Sequence, residues 1–145
     1  MTIEKTIEDM LPKSLDDIIR QRRDQCSIRL AATQELMTLV PMVSKMMEPM
    51  QVKAILDDWR VICITHQEQR HFFLTGMRRD RNRITMTSNI KSVDFASNRV
   101  LTNNSIYQLG KRGDDEPEVG VLLHICATLH EWRLGSGFGV PAIFY

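Results

Sequence analysis

Cysteine is scarce in this sequence, and the few cysteines present do not form a disulfide framework or a zinc site. The 145 residues contain three of them, Cys26, Cys63 and Cys126, an odd number at wide spacing. No Cys-x-x-Cys pair of the structural zinc type occurs. Each cysteine lies in an apolar or amphipathic run, so we expect buried free thiols, no bound metal or cofactor, and a reducing, cytoplasmic compartment.

Long apolar runs are missing as well, and we expect no secretory leader. The first ten residues, MTIEKTIEDM, carry acids where a signal peptide needs a basic start and an apolar core. No run approaches the roughly 20 apolar residues of a membrane-spanning helix, so we expect no membrane partner. Apolar residues make up 43% and charged residues 26% of the chain, as in ordinary globular proteins. This length and composition predict a single domain over residues 1–145.

An excess of charge of one sign is also absent, because the formal net charge is +1. No global field draws the molecule to nucleic acid, so any such attraction must come from local clusters. The stretch TGMRRDRNRITM contains a basic cluster, hereafter the arginine turn, made of Arg78, Arg79, Arg81 and Arg83. An acidic cluster follows in the chain, made of Asp114, Asp115, Glu116 and Glu118.

Catalytic and phosphate-binding motifs are missing too. The glycine-rich GSGFG at 135–139 follows a predicted helix and does not connect a strand to a helix, so it does not aim backbone N–H groups at a phosphate. Cys126 and His130 are four apart on that helix. Cys63 and His66 cannot complete a metal site with them, because residues three apart in a strand point to opposite faces. Function is therefore expected to depend on binding surfaces.

The N-terminal part, residues 1–59, is predicted to be helical. Ser14 can cap a helix whose Asp17 reaches back in a capping box, and this helix is expected to run from Leu15 to about Leu39. A second helix is predicted from the i, i+3, i+4, i+7 spacing of Val52, Ile55, Leu56 and Trp59.

Residues 60–110 predict short strands joined by polar turns. The runs VICITH and HFFLTGM, joined by QEQR, predict a hairpin with two apolar faces and a helix layer over one of them. The expected opposed pairs are His66 with His71, Ile64 with Phe73, and Cys63 with Leu74.

A second hairpin is predicted around Asn103 and Asn104, which suit a two-residue type I′ turn. Its expected pairs are Leu101 with Ile106 and Val100 with Tyr107. Five or six short strands in this part predict a central antiparallel sheet that curls toward a small SH3-like barrel.

The C-terminal part is predicted to be one helix over residues 117–134, begun by Pro117, with Leu122, Ile125, Leu129 and Trp132 facing inward. The tail, residues 135–145, is apolar to its end and should dock on the domain or on a second subunit. Its expected interface residues, in a possible homodimer, are Val140, Ile143, Phe144 and Tyr145. The predicted fold class is α+β, with N-terminal helices, a central sheet and a C-terminal helix.

Two groups of side chains are candidate sites. The arginine turn, together with Arg99, can pair with carboxylates or phosphates of a partner. The simpler interpretation is that a turn between strands must be polar, with Asp80 neutralising part of its charge. His66 and His71, if opposed in a ladder, can act as acid and base or share a metal, whereas exposed histidines beside a turn are ordinary.

Two segments, 87–110 (TSNIKSVDFASNRVLTNNSIYQLG) and 122–132 (LLHICATLHEW), resemble small uncharacterised accessory proteins of bacterial phages and plasmids. The resemblance indicates no named family and carries over no functional residue. It implies a regulatory role between a mobile element and its host. We therefore expect a non-enzymatic regulator or inhibitor that acts by stoichiometric binding to a host protein or nucleoprotein. The alternatives are a nucleic-acid-binding protein using the arginine turn and a small hydrolase using His66 and His71.

Overall fold

A computed structural model describes residues 11–19, 26–39, 51–66, 68–103, 105–113 and 115–132. The elements in these ranges, in chain order, are α1 (Leu15–Ile18), β1 (Cys26–Leu30), α2 (Thr33–Thr38), β2 (Val52–His66), β3 (Gln69–Arg78), β4 (Arg83–Asp94), β5 (Arg99–Thr102), β6 (Ile106–Leu109) and α3 (Val119–Glu131). The six strands form one mostly antiparallel sheet, so the described chain is an α+β protein.

The sheet closes on itself through its longest strand. Neighbouring strands pair in antiparallel fashion from β1 to β6, and β6 also pairs with β2 in parallel. This last pair is parallel because the strands from β2 to β6 alternate in direction, so β6 runs in the same direction as β2. The first half of β2 pairs with β6, where Val52 lies opposite Ile106, and its second half pairs with β1, where Ile64 lies opposite Ile28.

The prediction that residues 1–59 are helical is wrong for most of the described part. The expected helix from Leu15 to about Leu39 is divided into α1, β1 and α2. In β1, burial alternates, with Cys26 and Ile28 packed in the core. Burial of every second side chain is typical of a strand that is covered on one face. These core contacts outweigh the imperfect helical spacing of apolar residues from which the long helix was predicted.

The expected helix over Val52 to Trp59 is also wrong, because this segment is the first part of β2. Its spacing resembles a helix because a β-bulge lies between Asp57 and Arg60, where Asp58 adopts a positive φ of 51°. The extra residue shifts the alternation, so that the buried side chains run from Leu56 to Trp59 in a step of three. A bulged strand therefore imitated the i, i+3 spacing of a helix.

Both faces of the β2–β3 hairpin are buried, as predicted. One cluster draws buried residues from all five strands β2 to β6, including Leu56, Leu74 and Val100, and fills the inside of the ring. A second cluster joins Ile62, Phe73 and Met86 on the other face to α1, β1 and α3. A helix layer thus covers the outside of the hairpin.

Of the two predicted hairpin registers, that of β5–β6 is confirmed and that of β2–β3 is wrong. The expected pairs Leu101–Ile106 and Val100–Tyr107 are confirmed, although Asn103 has no positive φ, so the turn is not type I′. The β2–β3 pairs are wrong by two residues, since β3 begins at Gln69 and Ile64 lies opposite His71. Glu68, with a φ of 65°, occupies the left-handed conformation directly before β3.

The remaining expectations fall partly outside the described residues. Ser14 Oγ accepts the Asp17 N–H at 3.2 Å, confirming the cap, but the Asp17 carboxylate accepts the Lys13 N–H at 2.9 Å. The C-terminal helix is confirmed, with Leu122, Ile125 and Leu129 buried and Trp132 packed on the same cluster, but it begins at Val119 after the N-cap Glu118 and not at Pro117. The three cysteines are buried and form no disulfide.

Residues 133–145, and with them the four tail interface residues, lie outside the described part. None of the described helices has the length and hydrophobicity needed to cross a membrane.

Candidate binding surface at the arginine turn

The arginine turn is the connection of the β3–β4 hairpin. Arg78 and Arg83 are the last opposed pair, and the chain reverses through the four residues between them. The Arg81 N–H donates to the Arg78 carbonyl oxygen at 3.3 Å, and Asn82 takes a positive φ of 46°. Residues 79 to 83 are exposed, so the predicted polar turn is confirmed.

Two of the four arginines are already paired with acids of the chain. Arg78 Nε donates to Asp80 Oδ1 at 2.8 Å, within the turn itself. Arg79 forms a bidentate pair with Asp57, whose two carboxylate oxygens each lie 2.8 Å from a guanidinium nitrogen. The hydrogen bond from Arg79 holds the pKa of Asp57 well below its usual range. Asp57 lies in the β2 bulge, far from the turn in sequence, so sequence reasoning missed it.

Arg81 and Arg83 are the two guanidinium groups available to a ligand. Neither has a side-chain hydrogen bond or ion pair with another residue that the structure describes. With Arg78, they line a groove of about 230 Å³ between the start of β4 and the last turns of α3, which we call the arginine groove. His124 and Trp132 form its helix side.

The electrostatics of the arginine groove favour an anion. Burial lowers the pKa of His124, and the positive charge of Arg83 lowers it further. His124 is therefore neutral at neutral pH and presents an imidazole that can donate or accept a hydrogen bond. Glu131 is the acid on the helix side of the groove, so three arginines there face one carboxylate.

A larger cavity of about 500 Å³ adjoins the arginine groove, and we call it the Trp132 cleft. Met86 and Trp132 line both cavities. The cleft continues to the β5–β6 turn, with Asn103 and Tyr107 on that side. The Trp132 ring packs against Phe73 at a centroid distance of 5.3 Å. Sequence reasoning missed this cavity because its walls come from β2, β3, β4, the β5–β6 hairpin and α3.

The other predicted site residues are not brought to this surface. Arg99 lies opposite Asp94, at the other end of β4 from Arg83, and its Nε donates to Gln108 Oε1 at 3.4 Å. His66 lies opposite Gln69, so His66 and His71 are diagonal neighbours on one face and not an opposed pair. Within the described ranges, no group of three or more His, Cys, Asp or Glu side chains is arranged to hold a metal ion.

Comparisons with protein-family models, with curated proteins and with solved structures produce no match to this chain.

Proposed function

We propose that the protein is a non-enzymatic binding protein that acts by stoichiometric contact with an acidic segment of a partner protein, and that the arginine groove is the contact surface. The observation that carries the proposal is that Arg81 and Arg83 are exposed beside a concave surface and form no hydrogen bond or ion pair with an acid among the described residues. Guanidinium groups form bidentate hydrogen bonds with carboxylates, as Arg79 does with Asp57 in this protein.

The number of available charges favours a short anionic segment. With Arg78 and Arg79 engaged by Asp80 and Asp57, two guanidinium groups remain for a partner. Nucleic-acid affinity depends on how many phosphates are neutralised, and two contacts give a slope of log affinity against log salt concentration of only about −1.4 to −1.8. A carboxylate-rich loop or peptide needs no more than two such pairs to be positioned.

A nucleic acid is the second candidate partner, and Trp132 is the observation that favours it. An aromatic ring beside arginines allows a base to stack while its phosphate pairs with a guanidinium group. Trp132 lies at the junction of the arginine groove and the Trp132 cleft, so one nucleotide can reach both.

The same proposal covers the type of fold, the cellular compartment and the biological role of the protein. The closed ring of strands supports a small SH3-like barrel, a scaffold that presents its turns to partners. Buried thiols support a cytoplasmic protein. The resemblance to phage and plasmid accessory proteins supports a regulator or inhibitor of a host protein. A hydrolase at His66 and His71 is the least favoured reading, because the two imidazoles are not directly opposed.

The test is a binding assay on the double variant R81A/R83A. We expect its affinity for a fluorescent glutamate-rich peptide to fall at least about tenfold, which corresponds to about 1.4 kcal/mol, because both available charges are removed. Fluorescence anisotropy at low and at physiological salt measures the affinity. The matched control is R99A, which removes an arginine at the opposite end of β4 and should bind like the unmodified protein.

Two outcomes would contradict this assignment. If R81A/R83A binds the peptide as well as R99A does, the arginine groove is not the contact surface. If the unmodified protein prefers single-stranded oligonucleotides to the peptide at equal salt, the nucleic-acid candidate replaces the protein partner.

A further inference from the structure

The Trp132 cleft has the composition of a ligand site. Its volume of about 500 Å³ lies in the range of small-molecule pockets. Phe73, Met86 and Trp132 supply an apolar wall, and Trp132 is only half-buried, so its ring is accessible from the cleft. Such a wall accepts the flat face of a planar ring, because aromatic side chains stack on planar groups.

The rest of the cleft lining is polar, and several of its groups lack partners among the described residues. Ser88 Oγ is buried without a hydrogen-bond partner. The side chains of Asn103 and Ser105, and the Tyr107 hydroxyl, also have no hydrogen bond to another described residue. Asn89 Oδ1 accepts the Phe72 N–H at 3.2 Å, and its amide N–H groups have no partner there either. Buried polar groups are normally satisfied, so the orphaned Ser88 hydroxyl is the group that a ligand with a matching donor or acceptor would satisfy, whereas exposed Asn103 can also bond water.

The charged groups in the cleft lining favour a ligand that carries a negative charge. Lys53 is the one cation among the described lining residues, which include no carboxylate. Its ammonium lies over the Tyr107 ring, 6.0 Å from the ring centre. A ligand with a flat ring, several hydrogen-bonding groups and a negative charge therefore fits the apolar wall, the polar lining and the Lys53 ammonium of the cleft.

We propose that the Trp132 cleft binds a nucleotide, with the base stacked on Trp132, the base edge hydrogen-bonded to the Ser88 side of the cleft, and the phosphate near Lys53. The ligand is either a free nucleotide or one unit of a single strand. This site adjoins the arginine groove and shares Met86 and Trp132 with it, but it uses neither Arg81 nor Arg83 and does not depend on the acidic-segment contact.

The test is a titration of the intact protein with AMP, CMP, GMP and UMP. The chain has two tryptophans, and Trp59 is buried with its indole N–H bonded to the Gly110 carbonyl oxygen at 3.1 Å. Quenching of fluorescence therefore reports mainly on Trp132. We expect saturable quenching with one site per chain for at least one of the four, and a matching stoichiometry by calorimetry.

The variant S88A distinguishes a ligand contact from a structural role. Ser88 Oγ has no partner, so its removal should leave the melting temperature unchanged or raise it, while nucleotide affinity falls about tenfold or more. T75V is the matched control, because Thr75 Oγ1 is also buried and unpartnered but does not line the cleft. T75V should keep full nucleotide affinity.

The arginine variant separates the two sources of the nucleotide. Free mononucleotides should bind R81A/R83A as they bind the unmodified protein. If the natural ligand is a strand, an oligonucleotide binds more tightly than a mononucleotide and loses that advantage in R81A/R83A. No saturable binding of any mononucleotide or oligonucleotide would overturn the proposal, as would full affinity in S88A. Either result leaves peptide binding on the arginine groove to be judged by its own assay.

Discussion

Replacing Gly110 with alanine is expected to destabilise the protein by about 2 kcal/mol or more, the usual cost of forcing atoms into a filled site. A Cβ on Gly110 would overlap Asp57 Oδ1 and would lie 3.0 Å from the Arg79 guanidinium. The Asp57 carboxylate has little freedom to move, because it accepts hydrogen bonds from Arg79 and, at 3.0 Å, from the Lys111 N–H. Urea unfolding monitored by circular dichroism measures the loss.

A double-mutant cycle identifies the cause of that loss. If the added methyl group acts through the Asp57 carboxylate, the variant D57A/G110A should be more stable than G110A, because the shortened side chain leaves room. G120A is the control, since a Cβ at Gly120, an exposed position of α3, meets nothing within 4 Å, and it should stabilise the protein by about 0.5–1 kcal/mol. Additive effects of D57A and G110A would show that the close approach is not the cause.

This cluster also connects stability to the candidate binding surface. Asp57 holds Arg79 on one side and the Lys111 backbone on the other. The bulge in β2 thereby joins the arginine turn to the loop after β6. G110A should therefore disturb the placement of the turn as well as the fold, and its peptide affinity is best compared with that of D57A.

Replacing Glu35 with glutamine is expected to cost about 2 kcal/mol at neutral pH. The Glu35 side chain is 12% exposed and accepts hydrogen bonds from Arg29 at 2.5 and 2.9 Å and from Arg70 at 3.1 Å. These bonds, led by that from Arg29, lower the pKa of Glu35 from 4.5 to about 2. A shift of this size is equivalent to about 3 kcal/mol at most, and solvent screening at the two exposed arginines reduces it.

The same shift predicts how stability depends on pH. Because the folded-state pKa of Glu35 is lowered, its contribution is complete above pH 4.5 and is lost as the pH falls toward about 2. The unmodified protein should lose stability over this window, and E35Q should lose less. Thermal melts across the window measure the difference, with E68Q as the control at an exposed turn position. A pH dependence equal in E35Q and E68Q would show that Glu35 contributes nothing.

Glu35 has this effect because of where three elements meet. It lies on α2, reaches back to the Ala32 N–H at 3.0 Å, and joins Arg29 of β1 to Arg70 of β3. The acid thus fastens the N-terminal segment to the β2–β3 hairpin. Nothing in the local sequence indicated the bond to Arg70, because that residue is 35 positions away.

Local signals predicted the elements that depend on local chemistry. The β5–β6 register, the polar β3–β4 turn, the Ser14 cap and the buried face of α3 all follow from short-range patterns, and the structure confirms each of them. The β2–β3 register failed because the polar residues Gln69 and Arg70 extend the ladder. Turn polarity alone does not show where a strand begins.

The β2 bulge shows most clearly why the N-terminal part was misread. Leu56 and Trp59 are three apart, a spacing that favours a helix when the segment is read alone. In the protein, both side chains enter the inside of the ring because Asp58 takes a left-handed conformation between them. Only pairing with β3 and β6 made that conformation favourable, and neither partner is visible from the segment itself.

By itself, the sequence determined the α+β composition, the central position of an apolar hairpin, the C-terminal helix and the polar, arginine-rich turn, in which Arg79, Arg81 and Arg83 are exposed. Tertiary structure decided which of those arginines stay available, since Asp57 reaches Arg79 from 22 positions away, and it assembled the Trp132 cleft from several strands and a helix. The reason is physical: burial periodicity and turn chemistry act between near neighbours in the chain, whereas ion pairs and cavities depend on which distant segments packing brings together.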